Sequence, residues 1–283
     1  MNGARLGVGA QSVGLSEAAY RQALQYAKER EQFGMPIINF FQVKEMLAMM
    51  RAKTDATRAL LYETARCVDM YKIYEDIAKE RKLEAEERQT LKKYSRLADM
   101  LTPMLKLFSS EYANQNTYDC IQVYGGSGFM KDYPCERYYR DARILTIYEG
   151  TSQLQVVAAI RGVVQGGYLA RIKEYEAMEV KPEFAEMRKT LVALREDFEK
   201  CVEKINAFGS TSEAHEFNSR RLVEIAGYLL MAHLLIIDAN RNDMFLSSAK
   251  LFVKHAQEKI NERKSFIDNF CEEDLQAYKN LSE

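Results

Sequence analysis

The chain has 283 residues, 40 basic and 41 acidic side chains and a formal net charge of −1, with its lysines and arginines spread throughout, which argues against a nucleic-acid partner. Five cysteines without a C-x-x-C pair (Cys67, Cys120, Cys135, Cys201, Cys271) and three isolated histidines give no zinc-type ligand set and fit reduced thiols in a cytoplasmic compartment. Four prolines, 14 glycines and no tryptophan, against abundant Ala, Leu, Glu, Lys and Met, predict an all-α chain.

Residues 5–31 read as one helix, with Leu6, Ala10, Val13, Ala18, Ala19, Ala23 and Ala27 among its apolar positions at helical spacing. Gly7, Gly9 and Gly14 each cost roughly 1 kcal/mol of helix propensity relative to alanine, which points to close approach by another helix or a ligand. Gly34 followed by Pro36 is a stop signal. A second helix is predicted over 42–74, and the mixed-charge run 79–88 reads as a solvated connection and helix start. Leu91, Tyr94, Leu97, Ala98 and Leu101 then resume the helical period. Thr102 and Pro103 are expected to cap and begin a new helix running to about Tyr124. Antiparallel helices of this length joined by short turns predict an up-and-down, four-helix-bundle-like core. The glycine-rich stretch 125–134 has no strand before it, so its G-x-G pattern reads locally as a helix C-cap and turn.

Residues 135–142 lead into a loop in which Glu149 and Gly150 separate Ile144, Leu145, Ile147 and Tyr148 from a helix over 152–164. Thr151 or Ser152 can cap that helix, and Ser152 with Gln155 has the S-x-x-Q form of a capping box. A carboxylate on a glycine-hinged loop against apolar side chains is placed where a general base can be made. On spacing alone, a helix-start residue that merely favours the dipole reads as well. Gly166 and Gly167 mark a boundary between two units, 1–165 and 166–283. In the second, helices are predicted over 168–176, 184–208, 214–240, 243–264 and 267–281, with residues 209–212 as the clearest loop and Ser212 as a cap. That unit carries no motif with chemistry of its own; packing is the favoured role, with oligomer contacts or a membrane-surface face as the alternatives. The longest apolar run, 227–237, falls short of the about 18–20 residues of a bilayer span and reads as a core helix; no basic, apolar export signal opens the chain.

Three ordered stretches resemble the signatures of the flavin-dependent acyl-CoA dehydrogenases: Tyr26-Ala27-Lys28-Glu29-Arg30-Glu31-Gln32-Phe33-Gly34, Gln122-Val123-Tyr124-Gly125-Gly126-Ser127-Gly128-Phe129, and RDARILTIYEGTSQLQ over 140–155. The resemblance extends across residues 4–161, and the second unit resembles the extra C-terminal helical region of longer members. It implies FAD lying between domains. Arg30 would contact its pyrophosphate, Phe33 would pack beside it, and Gln122, Gly125 and Gly126 would approach the adenosine half, all on a neighbouring subunit's cofactor. Thr151 and Gln153 would lie near the flavin of their own subunit, Arg5 near the acyl-CoA, and Gly150 along the substrate's path.

By the same resemblance Glu149 would be the base. It would remove the α-proton of an acyl-CoA thioester while hydride leaves the β-carbon for the flavin, yielding a trans-2-enoyl-CoA as in fatty acid β-oxidation. Electrons would pass to an electron-transfer flavoprotein. A thioester α-proton is only weakly acidic, so the base is expected in a water-poor pocket with donors for the enolate oxygen. Some branches of the family place the base just before the arginine of the first helix; that position is Ala4 here, which leaves Glu149. The segment 35–41 is one residue longer than the common pattern, so Gln42 is not carried over. Family cores are dimers of dimers, which implies a homodimer or tetramer. Family enzymes hold most of the flavin and CoA in an N-terminal helical and a middle β domain. The expectation is therefore a C-terminal part, inactive alone, or a helical assembly module without turnover.

Overall fold

The computed structural model describes residues 2–282. Helix α1, Asn2–Glu29, turns Val8, Ser12, Ser16, Ala19, Ala23 and Ala27 to one buried face, and these small residues let it lie close along α3. Of the glycines in α1, only Gly9 touches a neighbour: a Cβ there would sit 2.7 Å from Leu105, whereas Gly7 and Gly14 face open space. A two-residue hairpin joins strands β1 (Glu31–Gln32) and β2 (Met35–Pro36). Phe33 (φ 53°) and Gly34 (φ 80°) occupy its two central positions, the left-handed pair that a type I′ turn requires.

Helix α2, Phe41–Glu80, and helix α3, Ala85–Tyr124, form an antiparallel pair of 40 residues each. The charged connection between them is where the run 79–88 placed it, and Glu84 with Glu87 closes a capping box on α3. The expected break at Thr102-Pro103 does not occur, because α3 runs straight through both. Proline removes one backbone hydrogen bond and costs about 3 kcal/mol in a helix interior. Leu101, Met104 and Leu105 on the adjoining turns are fully buried, each contributing roughly 1.5–3 kcal/mol, and this outweighs it. The Thr102 hydroxyl donates to the Ala98 carbonyl at 2.5 Å instead of capping a new helix.

Beyond α3 come α4 (Gly126–Phe129), α5 (Cys135–Leu145) and α6 (Ser152–Val164), then α7 (Gly167–Glu176), α8 (Ala185–Asn206), α9 (Glu213–Arg241), α10 (Leu246–Asn269) and α11 (Asp274–Ser282). Ser212 caps α9, accepting from the His215 N–H at 3.1 Å. Helix α10 does not stop near Lys264 as expected. It continues to Asn269, which buries Ile267 and carries Phe270 into a ring cluster with Phe208, Phe217 and Phe266.

Helix α9 lies at the centre of the molecule. It is long and apolar enough to cross a bilayer by length and composition, beyond what the 227–237 run indicated, but 83% of its apolar window is buried in the fold. A helix apolar on all sides must be covered on all sides. Its neighbours are α2, α6, α7, α8 and α10, and one continuous core joins Leu60 of α2, Met104 and Phe108 of α3, Val163 of α6, Leu229 and Leu235 of α9 and Phe252 of α10. At Gly227 the backbone of α9 comes so near α3 that a Cβ would lie 2.0 Å from the Phe108 ring.

Candidate functional site

The Glu149 loop is a strained turn with an external clamp. Glu149 (φ 55°) and Gly150 (φ 93°) are successive residues in the left-handed region. For a non-glycine residue this costs roughly 1–2 kcal/mol and persists only where the surroundings over-determine it. At Gly150 a side chain is excluded as well, since its Cβ would meet Gln155 Nε2 at 2.8 Å. The Gly150 carbonyl accepts from Lys106 Nζ at 2.7 Å and from Gln155 Nε2 at 2.8 Å, and Gln155 also reaches the Glu149 carbonyl at 3.2 Å. The anticipated Ser152–Gln155 capping box is therefore not formed. Thr151 caps α6, accepting from the Leu154 N–H at 3.4 Å, while Gln155 holds the loop.

Three further contacts seat this loop. The Tyr148 hydroxyl donates to Gln11 of α1, and its ring packs with Val8, Leu15 and Leu145. The Ser152 N–H donates to the Thr146 carbonyl at 3.1 Å, and the Ser152 hydroxyl donates to Glu111 of α3 at 2.6 Å. Glu111 also lies 3.6 Å from Arg220 of α9. Arg5 is half-buried near the start of α1. Burial chiefly pushes the Lys106 ammonium down to about 8; Glu111 pulls it up, Arg5 pushes it further down, and Glu149 pulls it up. Arg5, Glu111 and Glu149 thus gather their charges around one buried lysine.

The Glu149 side chain itself is exposed. Ile144 and Ile147 beside it are 49% and 44% exposed, so this chain does not build the water-poor pocket expected of the loop. Only Leu145 and Tyr148 of that apolar run pack inward, on α1. Among the described residues the Glu149 N–H makes no backbone hydrogen bond and is free to meet an acceptor from outside. Gln153, one turn on, is exposed and lines a cavity of about 430 Å³ with Val156, Val157, Ser212, His215 and Arg220.

A second group of the singled-out residues collects at the far end of α1. Tyr26 stacks on Tyr124 with ring centroids 4.0 Å apart and donates to Ser127 at 3.3 Å, which ties the end of α1 to the end of α3 and to α4. Arg30 is exposed and pairs with no carboxylate among the described residues. Phe33, 91% exposed, stands edge-on to Phe40 at 6.2 Å. Gly125 (φ 60°) and Gly126 face open space, with no atom within 4 Å of a Cβ at either. Gln122 borders a groove of about 960 Å³ walled by Tyr118, Phe129, Met130 and Tyr139. Arg5 and Arg30 are 25 residues apart on or just past α1, roughly 37 Å at 1.5 Å per residue, so the two groups occupy opposite ends of the helix.

Lys106, Gln155 as a clamp, Glu111 and Gln11 were not singled out from the sequence. Lys106 carried a readable signal, one charge inside the apolar run Met104-Leu105-Lys106-Leu107-Phe108. His233 and His255 take no part here. Burial pushes His233 and His255 down to about 4, and no cluster of three potential metal ligands exists among the described residues.

Residues 1–163 match the family model described as acyl-CoA dehydrogenase, C-terminal domain, and residues 164–275 match that described as acyl-CoA dehydrogenase C terminal. Over 165 residues the chain is 39% identical to acryloyl-CoA reductase (NADH) of Anaerotignum propionicum, which covers 58% of this chain and 36% of that protein. Over 151 residues it is 38% identical to 3-(aryl)acrylate reductase of Clostridium sporogenes, covering 53% and 34% respectively. The chain thus spans about a third of the length of these curated relatives. The fold is shared with an acyl-CoA dehydrogenase from Bacillus anthracis, solved in complex with FAD, at a TM-score of 0.73 and 24% identity over 94% of this chain and 48% of that one.

Proposed function

Because the chain belongs to the acyl-CoA dehydrogenase family and matches its C-terminal helical domains, we propose that it supplies the base and part of the flavin cradle for α,β-dehydrogenation of an acyl-CoA to the trans-2-enoyl-CoA. The observation that carries this reading is the Glu149 turn: an exposed carboxylate on a clamped backbone, with its own N–H unpaired beside it. The carboxylate takes the α-proton as the α-carbon–hydrogen bond breaks, and the thioester oxygen that gains charge meets the Glu149 N–H, a donor already fixed in place. FAD, when bound, supplies the acceptor for the hydride that leaves the β-carbon. Arg5 lies on the same side of α1 as this loop and offers a cation to the CoA ester, and Gly150 leaves room for the chain to pass.

The far group has the chemistry a dinucleotide needs. Arg30 is an unpaired guanidinium suited to a pyrophosphate, Phe33 an exposed ring, and Gly125 and Gly126 an open backbone beside Gln122. Thr151 and Gln153 serve the cofactor at the near end. Since the two groups lie at opposite ends of α1, each chain serves two cofactors, its own and a neighbour's. This supports a homodimer or tetramer in which residues 1–165 carry the site and 166–283 form a second, packing unit. The exposure of Glu149 means that groups outside this chain must exclude water from the base. An electron-transfer flavoprotein is the proposed electron acceptor and the cytoplasm the proposed compartment.

The same exposure favours one second reading, a helical assembly module without turnover. Purified chain is scanned for flavin absorbance and then assayed with acyl-CoA and an electron-accepting dye. Bound flavin with turnover abolished in Glu149→Gln supports the enzyme. A folded chain that stays flavin-free and inactive even when the family's N-terminal and middle domains are supplied supports the module, and turnover unchanged in Glu149→Gln removes Glu149 as base.

A further inference from the structure

A buried cation lies beneath the Glu149 turn and has no part in the reaction above. Lys106 projects from α3 with no exposed surface, between buried Leu105 and Leu107. An ammonium in such a place costs several kcal/mol unless it is well paired. Its hydrogen bond goes to a backbone carbonyl, that of Gly150 at 2.7 Å. The charges that face it are Glu111 of its own helix, Arg5 of α1 and Glu149 of the loop. Glu111 is shared with the Ser152 hydroxyl at 2.6 Å and with Arg220 at 3.6 Å, so it does not serve Lys106 alone.

We infer that Lys106 is a positioning residue that holds the Glu149 carboxylate in register by fixing the Gly150 peptide. This rests on the reading of Glu149 as base. With Gln155, Lys106 fills both acceptor positions of the Gly150 carbonyl, which locks the peptide plane that follows two left-handed residues. Gln155 alone leaves that carbonyl satisfied but free to swing about one contact. The strain at Glu149 then has a path to relax, and the carboxylate moves with it. A charge-assisted bond is about twice as strong as a neutral one, so the hold weakens when the ammonium loses its proton.

Deuterium exchange on the full chain reads this directly. Lys106→Met keeps the length and the apolar packing. It is expected to speed exchange across residues 146–153 at least ten-fold while α3 and α9 change less than two-fold and the thermal midpoint holds or rises. In the wild type, protection of that loop, corrected for intrinsic rates, is expected to fall between pH 7 and 9, and Lys106→Met to remove this dependence. Should Lys106→Met not fold, the wild-type pH profile decides by itself. Unchanged loop exchange, a uniform loss of protection, or a flat wild-type profile overturns the inference. None of these readouts needs turnover: the expected loop behaviour, together with turnover unchanged in Glu149→Gln once the chain is completed by the family's N-terminal and middle domains, sinks the redox reading alone. Turnover sensitive to Glu149→Gln but not to Lys106→Met sinks the Lys106 inference alone.

Discussion

Replacing Gly227 by alanine puts a methyl group into the closest helix contact at any glycine of this chain. Its Cβ would lie 2.0 Å from Phe108 Cε2, 2.6 Å from Cζ and 2.8 Å from Met104 Sδ. Carbon atoms rest about 3.5–4.0 Å apart, so the ring or the helix must retreat by roughly 1.5 Å. Phe108 is 4% exposed and edge-packed against Tyr228 at 5.1 Å and Tyr112 at 6.0 Å, so a shift of its ring disturbs those contacts. Overpacking of this kind costs about 1–3 kcal/mol, and the contact distance argues for the upper end. Alanine regains about 1 kcal/mol of helix propensity, leaving a net loss of about 2 kcal/mol. With a urea slope of about 3 kcal/mol/M, the unfolding midpoint should drop by about 0.7 M. Gly7→Ala is the matched control. It lies within α1 with nothing in reach of its Cβ and should gain about 0.5–1 kcal/mol. A Gly227→Ala midpoint at or above wild type would refute the docking of α9 on α3.

Glu149→Gln should lower turnover by about 10²–10⁴-fold, the usual worth of a positioned base, with the circular dichroism spectrum unchanged because the side chain is exposed. Glu63→Ala should cost about 1–3 kcal/mol in a chemical melt, because it strips Arg171, which is 8% exposed, of its partner on α2 while Glu174 still pairs with it. Acid should destabilise the fold between pH 6.5 and 4. Burial, with Arg188 and Arg195, pushes His233 down to about 4, and burial, with Lys53, Lys259 and Arg263, does the same to His255. The unfolded chain binds these protons near pH 6.5 while the folded chain refuses them until about 4, so stability is fully present above that window and falls through it. The loss from His233 alone is on the order of 3 kcal/mol. A His233→Phe variant should show a shallower fall between pH 7 and 4.5, and an identical slope would count against the neutral buried imidazole.

Much of the architecture was legible locally. The helical period of α1, the charged break before α3, the Ser212 cap and the span of α6 all depend on side chains within a turn or two of one another, where propensity and capping act. The three motif stretches also supplied the two groups of candidate residues. Thr102-Pro103 misled because a capping pattern speaks only for its own turn, while the burial of Leu101, Met104 and Leu105 depends on helices far along the chain.

The sequence alone determined that this protein is overwhelmingly helical, where most of its helices begin, and which carboxylate sits on a glycine hinge. Tertiary structure alone decided that Lys106 reaches the Gly150 carbonyl across 44 residues, that Gln155 clamps the loop rather than capping a helix, and that Glu149 stands in solvent. It also set the two groups of candidate residues at opposite ends of α1. Hydrogen bonds along a helix are fixed by neighbours in the chain. Contacts between helices follow from which apolar faces can be buried together, and no short stretch of sequence carries that information.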